Sequence, residues 1–336
     1  MPEMKASYQI NQIKSIRGIS VKFKFKFCNF QESTLFKKLF TVEIWNIGST
    51  SNPKKLIETG IWSDYTWLLE PNFYTFYADP VSIHKTGISK SLFYEKYSFL
   101  TSKGHICSLD LKSGTVAQHD KIELKQNSHH LSYPFVINDG DGELLLIPEC
   151  GESGCTTVYK QRNNNWTPAF KLQLDFAAID PTLFKCDSNW FLFCTDQTSP
   201  KSNLRLFYTK NLQDSWVEHP DSPILVSSDG ARPAGKICKI DGSMYRFGQD
   251  NSGGYGDAVN IYRIDKLTTN NYAETLLRQI ISPDSIYSKG PHTILVHQDQ
   301  LFFDAKKIKV TPLAPIFKLI KLARNKRTSI RVKAHQ

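Results

Sequence analysis

Five proline-centred segments recur along this 336-residue chain at a spacing that few folds accommodate. They are Ala78-Asp79-Pro80-Val81-Ser82-Ile83, Ser132-Tyr133-Pro134-Phe135-Val136-Ile137, Ile179-Asp180-Pro181-Thr182-Leu183-Phe184, Ala231-Arg232-Pro233-Ala234-Gly235-Lys236-Ile237 and Lys289-Gly290-Pro291-His292-Thr293-Ile294. Their prolines stand 54, 47, 52 and 58 residues apart. Proline cannot donate to a sheet ladder, so it belongs at the first residue of a strand or on an edge. A strand that starts this way once per period matches a four-stranded blade of a β-propeller, which runs about 40–50 residues.

The rest of each period fits the same unit. Second strands are expected at 92–97, 144–150, 190–196, 244–250 and 301–304, each with a carboxylate near its end: Glu95, Glu149, Asp196, Asp250 and Asp304. Third strands are legible at 105–111, 156–160, 204–210 and 258–264, and turn residues such as Asp139-Gly140-Asp141-Gly142 and Asp241-Gly242 separate first from second strands. The fifth unit runs short after Asp304, and strand-like pieces at 40–47 and 66–69 are expected to complete it and close the ring. The expected fold is therefore all-β, a five-bladed β-propeller. The competing reading is a β-sandwich with coincidental prolines; long helices are missing from the middle of the sequence, which counts against α/β folds.

Proline also drives the residue before it into extended backbone. On that basis Asp79, Tyr133, Asp180, Arg232 and Gly290 should be extended and should ring the mouth of the central channel. Asp79 and Asp180 are the candidate catalytic residues, because paired carboxylates across a polar cavity can act as acid and as base or nucleophile on a glycoside, with Tyr133 as a stacking platform. Either Asp can instead cap a strand or hold Arg232 in a structural ion pair. His130 and His292 are candidates for phosphate or sugar-hydroxyl contacts, against the bland reading of satisfied structural histidines. Glu95, Glu149, Gln249, Asp250 and Tyr255 are expected close by as substrate-binding residues. The run Gly248 to Gly256 lacks phosphate-loop spacing and reads as a hairpin at the pocket rim.

Composition narrows the setting. The formal net charge of +10 is uneven: Ala305–Gln336 holds ten Lys or Arg and no acid, Met1–Phe40 is +6, and the body between them is −6. Basic ends on a mildly acidic body suit an anionic surface such as a membrane leaflet rather than nucleic acid, whose binders carry positive charge on the folded face. Domains follow as a basic extension over 1–40, a propeller over 41–310 and a basic amphipathic tail over 311–336. In that tail Ile316, Phe317, Leu319, Ile320 and Ala323 fall largely on one side at helical spacing, flanked by Lys318 and Lys321. Such a helix can lie in a bilayer interface; it can also pack on a blade or remain a disordered tail. The seven cysteines form no C-x-x-C and read as reduced thiols, with no metal site. No stretch approaches the apolar length of a membrane-spanning helix, and Met1–Ser20 has no apolar signal-peptide region. The expected location is the cytoplasm, peripheral on the inner face of the cytoplasmic membrane.

The X-Asp-Pro strands resemble those of the five-bladed propellers of glycoside hydrolase family 43. That resemblance implies catalytic Asp residues on the first and third blades, matching Asp79 and Asp180, and a Glu general acid on the fourth, where this chain has Arg232. A second resemblance spans about Trp45 to Asp304. It is carried by Trp45-Asn46-Ile47-Gly48, Tyr77-Ala78-Asp79-Pro80, Tyr94-Glu95-Lys96-Tyr97, His130-Leu131-Ser132-Tyr133-Pro134, Ile147-Pro148-Glu149, Ala231-Arg232-Pro233-Ala234-Gly235, Gly248-Gln249-Asp250-Asn251-Ser252 and Gly290-Pro291-His292-Thr293. These motifs resemble the propeller domain at the N-terminus of plant glucosamine inositolphosphorylceramide transferases and of bacterial surface-polysaccharide proteins. The resemblance implies glycosyl transfer in lipopolysaccharide O-antigen or capsule synthesis, from a nucleotide sugar to a lipid-linked acceptor, with no bound cofactor. Arg232 suits that chemistry, because a guanidinium can hold a diphosphate where a hydrolase needs an acid. A family 43-type hydrolase and a non-catalytic glycan-binding propeller stay open as alternatives.

Overall fold

The computed structural model of the protein describes residues 38–86, 89–111, 117–124, 129–138, 142–163 and 165–333. All but the last three residues of the expected N-terminal extension therefore lie outside the described part, as does Cys28, while the other six cysteines are free thiols. Five antiparallel sheets follow one another along the chain. Their innermost strands are β3 (Thr75–Thr86), β7 (Ser132–Asn138), β11 (Ile179–Cys186), β16 (Asp229–Pro233) and β21 (Ile294–His297). Pro80, Pro134, Pro181 and Pro233 stand inside four of these strands, and Pro291 just ahead of the fifth. The second strands are β4 (Ser89–Ser98), β8 (Leu144–Glu149), β12 (Asn189–Thr195), β18 (Ser243–Asp250) and β22 (Gln300–Val310).

The ring closes as the short fifth unit requires. β1 (Thr41–Ser51) pairs with β22 from Thr41↔Val310 to Ser51↔Gln300, and β2 (Tyr65–Trp67) pairs outside it. The last blade thus joins both ends of the propeller, which leaves no unpaired edge at the seam. Between β1 and β2 a short helix, α1 (Pro53–Thr59), is capped by the Asn52 side chain on Lys55 N–H, and Leu56 and Ile57 pack beneath it. Each pair of neighbouring blades encloses its own apolar cluster. Blades two and three share Phe135, Ile147, Leu183, Leu192 and Trp216, and blades four and five share Phe247, Ile261, Ile294 and Phe303.

The residues before the prolines overturn one expectation. Asp79, Tyr133 and Asp180 are not extended: their φ angles are +53°, +46° and +46°. Each sits in a β-bulge, where the register with the second strand slips, as between Ala78 and Ser82. The bulge turns the N–H out of its own ladder and towards the preceding blade, where a carboxylate takes it. Asp79 N–H donates to Asp304 Oδ2 at 2.9 Å, Tyr133 N–H to Asp79 Oδ2 at 3.0 Å, and Asp180 N–H to Glu149 Oε2 at 3.4 Å. A left-handed non-glycine residue costs about 1–3 kcal/mol; a hydrogen bond returns about 0.5–1.5 kcal/mol, and about 1.5–3 kcal/mol where the acceptor is charged, as Asp79 is for Tyr133. The conformation runs against the extended preference that proline imposes, and the acceptor on the neighbouring blade stabilises it.

Blades four and five meet at backbone level. Ile294 N–H donates to Ala234 O at 2.8 Å. Gly235, at φ +124°, lies so close that a Cβ would stand 1.8 Å from Ile294 O. The C-terminal tail forms a 20-residue helix, α2 (Ala314–Lys333). Its Ala314 and Phe317 are buried with Val42, Ile44 and Phe99, and Phe317 stacks on Phe99 at 5.0 Å between ring centroids. The apolar residues expected on one side are thereby divided: Phe317 and Ile320 face the propeller, whereas Ile316 and Leu319 face out.

Gly235→Ala should cost roughly 3 kcal/mol or more, since it adds backbone strain and a clash with Ile294 O at the blade junction. Gly253→Ala is the control, with its nearest neighbour 3.7 Å from the added Cβ. Chemical denaturation of the two variants checks this; equal midpoints would show that the junction tolerates displacement.

Candidate functional site

Two charge clusters occupy the axis at the end where the proline-preceding residues stand. The first joins blades one and five. His292 lies with Nε2 3.2 Å from Asp79 Oδ1 and Nδ1 2.8 Å from Asp304 Oδ2, all three side chains being buried. Burial pulls the imidazole down, but Asp304 and Asp79 outweigh it and push its pKa up to about 10. Burial likewise works against ionised Asp79, yet His292, Thr293 Oγ1 at 2.9 Å and Tyr133 N–H hold its carboxyl below the ordinary range. Asp79, His292 and Asp304 present their donor atoms within 4.8 Å of one another, a spacing that can ligate a metal. As arranged, however, both ring nitrogens face carboxylates, and Asp304 accepts the N–H groups of Asp79, His292 and Thr293. A doubly protonated ring has no lone pair to offer, whereas the neutral ring keeps one. The cluster is a histidine ring held between two carboxylates, whose negative charge favours its protonated form.

The second cluster joins blades two, three and four. Arg232 donates to Asp180 through Nε at 2.6 Å and Nη2 at 3.2 Å, and Nη2 also reaches Glu149 Oε2 at 3.2 Å. Gln249 Nε2 adds a donor to Asp180 Oδ2 at 2.9 Å. Two carboxylates thus share one guanidinium. Burial, then the charge of Asp180, push Glu149 well above the usual carboxylate range despite Arg232. Tyr255 links the clusters: its ring lies 5.4 Å from the Arg232 guanidinium and 5.5 Å from His292.

A cavity of about 660 Å³ opens beside the first cluster. Trp45, Tyr97, Phe99 and Tyr255 supply aromatic walls, and Glu95, His130 and His292 supply the polar groups. Glu95 is buried on β4, and burial, reinforced by the Asp79 charge, raises its carboxyl well above its ordinary value. Gly104 makes room for it, since a Cβ there would stand 1.9 Å from Glu95 Oε1. His130 Nδ1 accepts the Gly104 N–H at 2.7 Å, which leaves the proton on Nε2, 3.8 Å from Glu95 Oε1. Burial, then Arg324, push His130 down to about 4. Among the cavity's polar groups, Glu95 thus favours its protonated form and His130 presents a neutral imidazole N–H.

The remaining candidates lie elsewhere. Tyr133 is fully buried, with its hydroxyl on Thr182 Oγ1 at 2.6 Å and accepting Gly235 N–H at 2.9 Å, and it offers no face to a sugar. Asp250 accepts Ser252 N–H at 2.8 Å and Gln279 Nε2 at 2.9 Å, so it holds a turn and a neighbouring strand. Asp79, Asp180, Arg232, Tyr255 and His292 are joined by the contacts above; Gln249 stands behind Asp180. Sequence reasoning missed the far wall of the cavity, which α2 builds with Phe317, Lys318, Lys321 and Arg324. Arg324 anchors that wall through Ser102 O at 2.9 Å and an ion pair with Glu152. It also passed over Asp304 as a site residue, although Asp304 completes the row of second-strand carboxylates.

Comparison with known proteins gives this arrangement a context. The N-terminal family model of glucosamine inositolphosphorylceramide transferase 1 matches residues 69–290. The transferase of that name from Oryza sativa subsp. japonica is 34% identical over 208 residues, and its Arabidopsis thaliana counterpart 32% over 209. The match covers 59% of this chain but only 27% of either relative. Among solved structures, a family 117 glycoside hydrolase from Zobellia galactanivorans superposes with a TM-score of 0.50 at 9% identity, covering 80% of this chain and 91% of that one. A family 43 β-1,3-galactosidase also gives 0.50, at 13% identity, over 65% and 52% of the two chains. At such identities the likeness is one of fold.

The His292 clamp makes stability depend on alkaline pH. The group's folded pKa is raised, so its contribution is complete below the ordinary value of 6.5 and disappears as pH rises through about 10. Denaturation of the wild type should show this loss across that interval, and His292→Gln should be less stable at neutral pH and lack the slope. A wild-type profile that is flat between those pH values would show that His292 is not charged in the folded state.

Proposed function

The chain belongs to the family defined by the N-terminal region of glucosamine inositolphosphorylceramide transferase 1, and from that premise we propose that it serves glycosyl transfer from a phosphate-activated sugar to a lipid-linked acceptor in surface-polysaccharide synthesis. The observation that carries this reading is the composition of the axial cavity. Aromatic walls at Trp45 and Tyr255 suit the apolar face of a sugar ring, Glu95 and His130 meet its hydroxyls, and Lys318 and Lys321 stand at the α2 wall for an anionic phosphate. The volume falls within the range of small-molecule sites, about 300–1,000 Å³. A carboxyl kept neutral by burial has a proton to exchange with a reacting oxygen. Glu95 is the residue proposed for that role, with the His130 Nε2–H orienting it.

Hydrolysis of the family 43 type fits less well, because the fourth-blade place of the acid holds Arg232, committed to Asp180 and Glu149. A second reading, a glycan-binding propeller that serves a transferase, is favoured by a different observation. Asp79 and Asp180 have both oxygens engaged by neighbours, and the chain spans about a quarter of its relatives' length.

The test is incubation of the full chain with a panel of nucleotide sugars and extracted lipid-linked acceptors, with mass spectrometry reporting acceptors heavier by one sugar. Glu95→Gln preserves the shape of the neutral carboxyl, so it should retain sugar binding and melting temperature while turnover falls about 100-fold or more. Sugar binding without turnover by the wild type would favour the binding module, and release of free sugar from glycosides would favour the hydrolase. Lys318→Ala with Lys321→Ala should weaken binding of the nucleotide sugar about tenfold, through lost charge-assisted contacts, and leave binding of the free sugar unchanged. Equal loss for both ligands, measured by calorimetry, would remove the phosphate from the α2 wall.

A further inference from the structure

The C-terminal helix has two apolar faces. One is spent on the propeller: Leu313, Ala314, Phe317 and Ile320 pack on Val42, Ile44 and Phe99. The other is bare. Ile316, Leu319 and Leu322 are 51%, 65% and 58% exposed and recur every three residues, so they form one outward stripe. The stripe continues onto the blades. Phe73 and Tyr74, 39% and 44% exposed, precede β3; Tyr74 meets Phe317 at 6.4 Å between centroids, and Phe73 packs on Tyr74 at 5.8 Å. Leu100, in the turn after β4, and Val310, at the end of β22, are exposed at the same end of the ring. Over half of the area of several large apolar residues is therefore in water within one region, which a protein leaves open chiefly where something docks.

The charges beside this stripe identify the occupant. α2 carries Lys318, Lys321, Arg324 and Lys326, of which Arg324 is paired with Glu152, and its sequence holds no acid; Lys309 extends over the Phe73 ring at 4.6 Å. Large apolar groups beside cations match an interfacial helix whose apolar side enters the acyl boundary while its cations meet lipid phosphates. A second copy of the chain docked stripe to stripe would bring these cations against one another.

We propose that this end of the propeller docks on an anionic bilayer through the outward face of α2 together with Phe73 and Tyr74. The helix is a rigid docking edge clamped to the blades by Phe317 and Arg324, rather than a free tail. The residues alternating with the stripe, Lys318 and Lys321, line the axial cavity, so the cavity mouth is held at the leaflet, where a lipid-borne substrate enters without leaving the membrane. Docking itself does not rest on the transfer reading, and its test reads binding alone.

The experiment is sedimentation of the full chain with vesicles of phosphatidylcholine, and of phosphatidylcholine mixed with phosphatidylglycerol, at low and high salt. The protein should pellet with the anionic vesicles at low salt, less at high salt, and not with the neutral ones. Leu319→Glu with Leu322→Glu should reduce that binding about tenfold or more, with an unchanged melting temperature because both side chains lie in water. Phe73→Ser, on a separate element, should produce a smaller loss of the same kind. Absence of pelleting with anionic vesicles would overturn the proposal, as would full binding by both variants. A vesicle-free dimer that the Leu319→Glu and Leu322→Glu changes dissolve, with no vesicle binding, would assign the stripe to self-association instead.

Discussion

A few carboxylates hold this ring together by capturing backbone N–H groups that the blades themselves cannot pair. Each X-Pro bulge frees the N–H of the residue before the proline, and an unpaired buried N–H would cost about 1–3 kcal/mol. Asp304, Asp79 and Glu149 accept those groups from the following blade, which links blade five to one, one to two and two to three. Asp304 carries the largest share: fully buried, it accepts three N–H groups and faces the His292 ring. Asp79 and Asp304 also hold His292, which lines the cavity. Asp79 is an anchor of the second blade before it is anything else, and its ionised state is required by that task.

The two axial clusters separate the carboxyls into classes. Where a cation is supplied, as His292 is to Asp79, the carboxylate stays charged at a buried position. Where the cation is absent or shared, as for Glu95 and Glu149, burial and neighbouring negative charge push the carboxyl well above its ordinary range. Buried carboxyls pushed apart in this way are the common pattern of acid–base sites. Here the division follows which carboxyl each cation reaches: His292 meets Asp79 on one side and Arg232 meets Asp180 on the other, with Tyr255 between them.

The final helix gives the cavity its asymmetry. Without α2 the site would be an open bowl between blades one and five. With it, Phe317, Lys318, Lys321 and Arg324 form a wall that mixes apolar and cationic groups opposite Trp45, Glu95 and His130. A wall built from a helix that also exposes Leu319 and Leu322 ties what the cavity admits to what the outer surface touches.

The five-blade ring was legible because its signals are local. A proline at a strand start, alternation along the strand and a turn before the next are each written in adjacent residues, and their recurrence counts the blades. The closing role of 40–47 and 66–69 followed from the incomplete fifth unit, and β1 pairs along all of β22 as that requires. Other features had no local signature. The positive φ of Asp79, Tyr133 and Asp180, the burial of Tyr133, the use of Asp250 in a turn and the splitting of the α2 faces depend on which groups arrive from distant parts of the chain. Asp79 and Asp304 are 225 residues apart, and Arg324 and Glu152 are 172 apart. By itself the sequence determined the architecture, because strand periodicity and proline geometry act within a few residues. Only the tertiary structure decided which carboxyls are charged, which are neutral and which line the cavity, because desolvation and ion pairing arise from packing between blades.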